Sequence, residues 1–286
     1  MRTRPFKQVD VFTALPYRGN PLAVVLDAAG LTDAEMQGFT NWTNLSEATF
    51  VLPPVDGAAD YRVRIFCPGR ELPFAGHPTL GTCHAWLEAG GVPRGKTILQ
   101  ECGVGQIKIR REGDRLAFAA PPLRRQGPLD EADVELIARG LGVSQNDIID
   151  HAWCDNGPRW RGVMLRSADL VQALTPDASV LAGLDIGVVG PRGKVGVVAA
   201  SDEEDIAFEV RAFFPGNNGM AEDPVTGSLN AGLAQWLIGA GHAPPNYIAS
   251  QGSALGRAGR VYVDSADGEI WIGGHSVTCI DGRVLI

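Results

Sequence analysis

A glutamate, a histidine and an aspartate in this 286-residue chain have neighbours that suit them to moving a proton. Glu47 lies in Asn44-Leu-Ser-Glu-Ala-Thr-Phe50, a run that turns into a strand. Alternation places it on the face of Leu45, Thr49 and Val51, so its carboxyl is expected on a half-buried surface. A carboxyl in that setting has a raised pKa and passes a proton in either direction near neutral pH. His77 follows Gly76, and Ser228 follows Gly227, each pair at the expected start of a helix. Unsatisfied backbone N–H groups and the helix dipole make such starts anion sites. Asp223 precedes Pro224, just ahead of the second start. Plainer uses stay open for the same residues. Glu47 would serve as an exposed strand-edge charge, Gly76 and Gly227 as close-packing glycines, and Asp223 as a turn or cap residue.

The elements that must position these groups come from an internal repeat. Val63-Arg-Ile-Phe-Cys-Pro-Gly69 returns as Val210-Arg-Ala-Phe-Phe-Pro-Gly216, matching at five of seven positions with a step of 147. Pro73-Phe-Ala-Gly-His-Pro-Thr-Leu-Gly81 then aligns with Pro224-Val-Thr-Gly-Ser-Leu-Asn-Ala-Gly232 at a step of 151. Ala89-Gly90 and Ala240-Gly241 continue that second register. One insertion of four residues, around Asn217 to Asp223, accounts for the change.

Each copy reads as strand, tight turn, helix. Arg62–Phe66 and Glu209–Phe214 are β-branched and aromatic runs closed by Pro-Gly. Leu72–Leu87 and Pro224–Gly241 contain no Asp, Glu, Lys or Arg and repeat apolar residues at helical spacing, the mark of a buried helix. Short strands are predicted at Phe6–Phe12, Leu22–Leu26, Ala48–Leu52, Ile98–Glu101, Val195–Ala199 and Val261–Val263. More polar helices are predicted at Thr32–Phe39, Glu131–Gly140 and Ala168–Leu174. The fold class is α+β: two pseudo-symmetric lobes, each a curved, mostly antiparallel sheet around one buried helix. The N-terminal lobe is placed at residues 1–122 and the C-terminal lobe at 123–275. The sequence leaves open whether the last strand, about 276–286, returns to the first lobe. If the lobes pack about a pseudo-two-fold axis, both helix starts face one cleft and grip a carboxylate without an arginine.

Composition narrows the partners. A net charge of −8 and a pI of about 5.1 argue against nucleic acid and anionic membranes, which require a basic face. A small anionic metabolite remains compatible, held by local dipoles. No apolar run reaches the roughly 20 residues of a membrane span, and the basic N-terminus has no apolar stretch behind it, so no signal peptide is expected and the location is cytoplasmic. Five scattered cysteines without a Cys-x-x-Cys pair suggest neither zinc nor a disulfide framework. His77 and His84 share a helix face without a third ligand, so a metal site is disfavoured. No Gly-x-Ser-x-Gly elbow or His-Glu-x-x-His motif suggests a hydrolase.

Five segments together carry a family resemblance: Gln8-Val-Asp-Val-Phe-Thr13, Gly19-Asn-Pro-Leu-Ala-Val-Val25, Asn44-Leu-Ser-Glu47, Phe74-Ala-Gly-His-Pro-Thr-Leu-Gly81 and Glu222-Asp-Pro-Val-Thr-Gly-Ser228. In order and spacing they closely resemble the PhzF-like family of phenazine biosynthesis, from about residue 6 to Gly273-Gly274. The resemblance implies a diaminopimelate-epimerase-like fold, a homodimer and no cofactor. It also implies isomerisation of the trans-2,3-dihydro-3-hydroxyanthranilate type, with Glu47 as the catalytic glutamate supported by His77 and Asp223. Gly76, Gly227 and Ser228 would then bind the substrate. Epimerases of this fold use a cysteine at each helix start; this chain has none there, so two-cysteine racemisation is disfavoured. Cys67, which precedes Pro68 where many relatives carry a hydroxyl residue, has nothing basic nearby in sequence to activate it. Isomerisation or epimerisation of another small acid or amino acid, and a non-catalytic small-molecule binding protein, stand as alternatives.

Overall fold

The computed structural model describes residues 1–193, 206–216 and 219–286. The strand expected at Val195–Ala199 lies outside them. The chain divides into two compact units, Met1–Ala119 with Gly273–Ile286, and Ala120–Ile272.

The first unit opens with β1 (Thr3–Val11) and β2 (Asn20–Val25), then α1 (Asp33–Thr43) and β3 (Ala48–Leu52). β4 (Tyr61–Cys67) and β5 (Arg70–Leu72) precede the helix α2 (Gly76–Glu88), and β6 (Ile98–Cys102), β7 (Gly105–Glu112) and β8 (Arg115–Ala119) complete the series. Thr32 and Glu35 form a reciprocal capping box at the start of α1. Asn44, left-handed at φ 54°, ends that helix and turns the chain toward β3. α2 packs against β1, β2, β3 and β8, and its first eight residues are all buried. That is the burial expected of a helix without a charged face.

The second unit contains α3 (Glu131–Leu141), β9 (Ile148–Trp153), β10 (Arg161–Leu165), α4 (Ala168–Ala173), α5 (Ala178–Leu181) and β11 (Ile186–Pro191). β12 (Ile206–Gly216), β13 (Gly219–Asp223), α6 (Gly227–Gly239), β14 (Asn246–Gln251), β15 (Gly259–Ala266) and β16 (Glu269–Gly274) follow. A core of Ile137, Leu141, Trp153, Val163, Ile186 and Phe213 is shared by its strands and α3.

Strand pairing shows the duplication directly. In the first unit β1–β2 is antiparallel, β2–β3 parallel, β3–β4 antiparallel, β4–β6 parallel and β6–β7 antiparallel, with β5 hairpinned onto β4. In the second, β9–β10, β10–β11, β11–β12, β12–β14 and β14–β15 alternate in the same way, with β13 hairpinned onto β12. The C-terminal strand β17 (Ser276–Leu285) pairs antiparallel with β1.

The repeat-related glycines Gly81 and Gly232 let each helix approach its sheet. A Cβ on Gly81 would lie 2.7 Å from Leu22 and Val11 side chains, and one on Gly232 would lie 2.7 Å from the Cys154 carbonyl oxygen. The two Pro-Gly signals differ in outcome. Pro68-Gly69 forms the β4–β5 turn, whereas Pro215 and Gly216 stay in β12, opposite Met220 and Gly219. The four extra residues lengthen this hairpin, so β13 has five residues where β5 has three.

Candidate functional site

In the first unit the turn after α1 delivers Glu47 to the start of β3, beside the start of α2. The expected strand face needs one correction. Leu45 packs with Ala48, Phe50 and Leu52, on the side away from α2. Thr49 faces α2, where its hydroxyl accepts from Thr82 Oγ1 at 2.8 Å. Strict alternation fails because residues 44–47 precede the strand and begin at a left-handed residue.

Glu47 Oε2 lies 3.5 Å from His77 Nε2, with side-chain exposures of 16% and 5%. His77 is the second residue of α2, and no side chain caps that helix start. Burial holds the imidazole down to about 3, so it is neutral at physiological pH. On its other edge Nδ1 meets the Asn20 amide nitrogen at 3.4 Å. With that amide donating, Nδ1 accepts and the ring proton sits on Nε2, the nitrogen nearer Glu47. A 3.5 Å separation is looser than a formed hydrogen bond, and such contacts tighten when a ligand binds.

Asn20 is itself set by backbone. Asp10 Oδ2 accepts from the N–H groups of Arg18, at 2.7 Å, and Gly19, at 3.0 Å. A side chain at Gly19 would collide with the Val11 carbonyl, 2.1 Å from the position of its Cβ. Cys67 lies near enough to Glu47 to feel its charge. Burial, reinforced by that carboxylate, pushes its thiol up, so it is not an activated nucleophile. His84 contacts Thr278 Oγ1 and Glu88. Among the described residues, no cluster of three His, Cys, Asp or Glu side chains could hold a metal ion.

In the second unit Asp223 ends β13, and Gly227 and Ser228 are the first two residues of α6. The N-cap residue Thr226 does not cap the helix with its side chain. Its hydroxyl instead donates to Asp223 Oδ2 at 2.6 Å. Trp160 Nε1 donates to Ser228 Oγ at 3.1 Å, and Asn156 donates to the Ser228 carbonyl at 2.8 Å. The Ser228 oxygen thus has a fixed donor, and its own proton is left to donate to an acceptor. Asn20, Trp160, Thr226 and Gln251 are the residues that sequence reasoning did not assign. The only sequence signals for them were the place of Asn20 and Thr226 inside quoted motifs and that of Gln251 in the 151-residue register.

A protonation test follows from His77. Between pH 6.5 and about 3 the unfolded chain binds a proton at residue 77 that the folded chain refuses. The stability from keeping this ring neutral is complete above 6.5 and declines toward acid, by up to about 1.4 kcal/mol per pH unit. In urea titrations the stability gap between wild type and His77→Gln should shrink from pH 7 to pH 4. A constant gap would show that the folded protein accepts the proton.

Each unit is a sheet folded on one central helix, the first with a carboxylate and a neutral imidazole at its helix start, the second with an aspartate and a serine. Carboxyl, imidazole and hydroxyl groups are able to give or take protons. The sequence profile of the phenazine biosynthesis-like protein family matches residues 9–282. Antisense-enhancing sequence 1 of Schizosaccharomyces pombe is 35% identical over the whole of both chains. The trans-2,3-dihydro-3-hydroxyanthranilate isomerase of Pseudomonas fluorescens is 32% identical, covering 97% of this chain and 98% of that one. The crystal structure of a phenazine biosynthesis protein of the PhzF family from Enterococcus faecalis superposes with a TM-score of 0.79 at 25% identity, over the full length of both. The chain belongs to the phenazine biosynthesis-like family, and it is an isomerase with that family's α+β fold. Among the described residues no helix is long and apolar enough to cross a membrane.

Proposed function

We propose that this isomerase is cofactor-independent and moves a proton between two carbons of a small carboxylate substrate. Glu47 removes a proton from a carbon next to an unsaturated or enol-like system and returns it to another carbon. The overall change is redox-neutral, since the proton lost at one carbon is regained at the next. The observation that carries this reading is the Glu47 carboxylate set 3.5 Å from Nε2 of a buried, neutral histidine at a helix start that no side chain caps. His77 and Asp223 orient polar groups of the substrate and stabilise the charge that develops. Gly76, Gly227 and Ser228 are assigned to substrate binding, as the family resemblance implies, their backbone N–H groups being suited to an anion.

The similarity to the Pseudomonas fluorescens enzyme makes trans-2,3-dihydro-3-hydroxyanthranilate the first substrate to try. We also propose a homodimer, as the family resemblance implies, with no nucleic-acid or membrane partner. A cytoplasmic setting accords with five free cysteines, two of them buried thiols. Proton NMR in deuterated water, with the purified protein and this substrate, tests the proposal. Substrate loss is the expected outcome, with deuterium entering the product at carbon to the extent that the proton held by Glu47 exchanges with solvent before it is returned. An unchanged spectrum would exclude this substrate and direct the assay to other unsaturated small acids.

A further inference from the structure

Gln251 is fully buried at the end of β14, and its amide is hydrogen-bonded in every direction. Its Oε1 accepts from the Thr226 backbone N–H at 3.0 Å and from Asn230 Nδ2 at 2.9 Å. Its Nε2 donates to the Asp223 carbonyl at 3.1 Å and to Thr226 Oγ1 at 2.9 Å. The backbone N–H of Thr226 can only donate, so the amide oxygen must face it and the amide nitrogen must face the hydroxyl. The Thr226 oxygen is thereby an acceptor from Gln251, and its proton is directed to Asp223 Oδ2. Polarity along this chain of three groups is determined at every link.

The repeat separates scaffold from addition. Gln100, 151 residues before Gln251, is also fully buried and ties its own helix. It accepts from Tyr61 Oη at 3.0 Å and donates to Thr79 Oγ1 at 3.0 Å, and Thr79 is the counterpart of Asn230. At the positions equivalent to Thr226 and Asp223 the first unit has Ala75 and Leu72. Both units therefore use a buried glutamine to hold the helix start, and only the second extends it through a hydroxyl to a carboxylate. A purely structural glutamine would need no such extension.

We infer that Gln251, acting through the Thr226 hydroxyl, is a positioning residue that fixes Asp223 toward the substrate. This rests on the proposed role of Asp223 in orienting the substrate and stabilising the charge that develops. Delivery of an oriented O–H to one carboxylate oxygen favours the ionised form and stops the group from rotating. The redirected hydroxyl also leaves the first N–H groups of α6 without a side-chain cap.

The test uses the full chain with 13C-labelled aspartate, the Asp223 resonance being identified by its loss in Asp223→Asn. In Thr226→Val, which keeps shape and removes the hydroxyl, the carboxyl titration midpoint should rise by about one pH unit. Thr226→Ser should restore it. Gln251→Glu, which accepts the hydroxyl proton itself, should raise the midpoint as Thr226→Val does. If that variant does not fold, the valine and serine pair decides alone. Turnover should fall about tenfold in Thr226→Val with KM little changed, and the acid limb of kcat should move with the titration. An unmoved midpoint in Thr226→Val overturns the relay. A moved midpoint with unchanged kcat overturns the role given to Asp223, and the positioning role with it.

Discussion

Glu47→Gln is expected to lower kcat by about 10³-fold or more, because a single carboxyl supplies both proton transfers. The replacement keeps the shape and leaves an amide oxygen to face His77 Nε2, so the local packing survives. What disappears is the capacity to take a proton. His77 cannot substitute as the base. Its Nδ1 lone pair meets the Asn20 amide, its Nε2 carries the ring proton, and burial disfavours the imidazolium down to about 3. Binding of the carboxylate substrate, measured by calorimetry, should stay within a few-fold of wild type, since the helix starts and Ser228 are untouched. Deuterium incorporation in the NMR assay should cease in the variant. Retained incorporation would remove Glu47 from the mechanism and leave the isomerase class in place.

The second large effect concerns the strand that carries Asp223. Arg211 on β12 makes a two-pronged ion pair with Glu222 on β13, at 2.9 and 2.7 Å. The repeat-related Arg64 and Glu71 make the same pair between β4 and β5, at 2.7 and 2.6 Å. The two differ in setting. Arg211 and Glu222 are 7% and 11% exposed, whereas Glu71 is 42% exposed. Glu222→Ala leaves a guanidinium buried without its counter-charge and should cost about 3–5 kcal/mol. Glu71→Ala should cost about 1 kcal/mol or less, because Glu71 is itself well exposed and Arg64 keeps its ion pair with Asp33 at 2.6 Å. Arg211 would still donate to the Leu174 carbonyl at 2.8 Å, but a carbonyl dipole replaces only part of a carboxylate. Denaturant unfolding of the two single variants measures the contrast. Equal losses would show that burial does not govern these pairs. Glu222→Ala should also depress turnover, because Asp223 is the next residue of the same strand.

The duplication, the two buried helices and their starts at Gly76 and Gly227 were legible in the chain itself. Each is written within a short window: a strand pattern of period two, a Pro-Gly stop, then a charge-free run at helical spacing. Such windows encode local geometry because hydrophobic periodicity reports which face an element buries. Other short windows, and the helix starts themselves, carried the five motifs that mark the family and pick out Glu47, His77, Asp223 and Ser228 as candidates. Where local signals competed, they misled. Leu45 lies on the other side from Thr49 because a left-handed Asn44 precedes it, and Pro215-Gly216 continues a strand because the four-residue insertion lengthens the hairpin.

Only the tertiary structure decided which polar groups meet. Asn20 and His77 are 57 residues apart, Trp160 and Ser228 are 68 apart, and Gln251 lies 25 beyond Thr226. The C-terminal strand reaches β1 across nearly the whole chain, pairing Leu285 with Thr3. No periodic signal records such contacts, because their free energy comes from satisfying buried donors and acceptors after the sheets have formed. The sequence therefore determined which elements form and which side chains could do chemistry. The fold determined the proton position on His77, the donor to the Ser228 hydroxyl and the oriented oxygen of Asp223, since each depends on a partner brought in from a distant strand or loop.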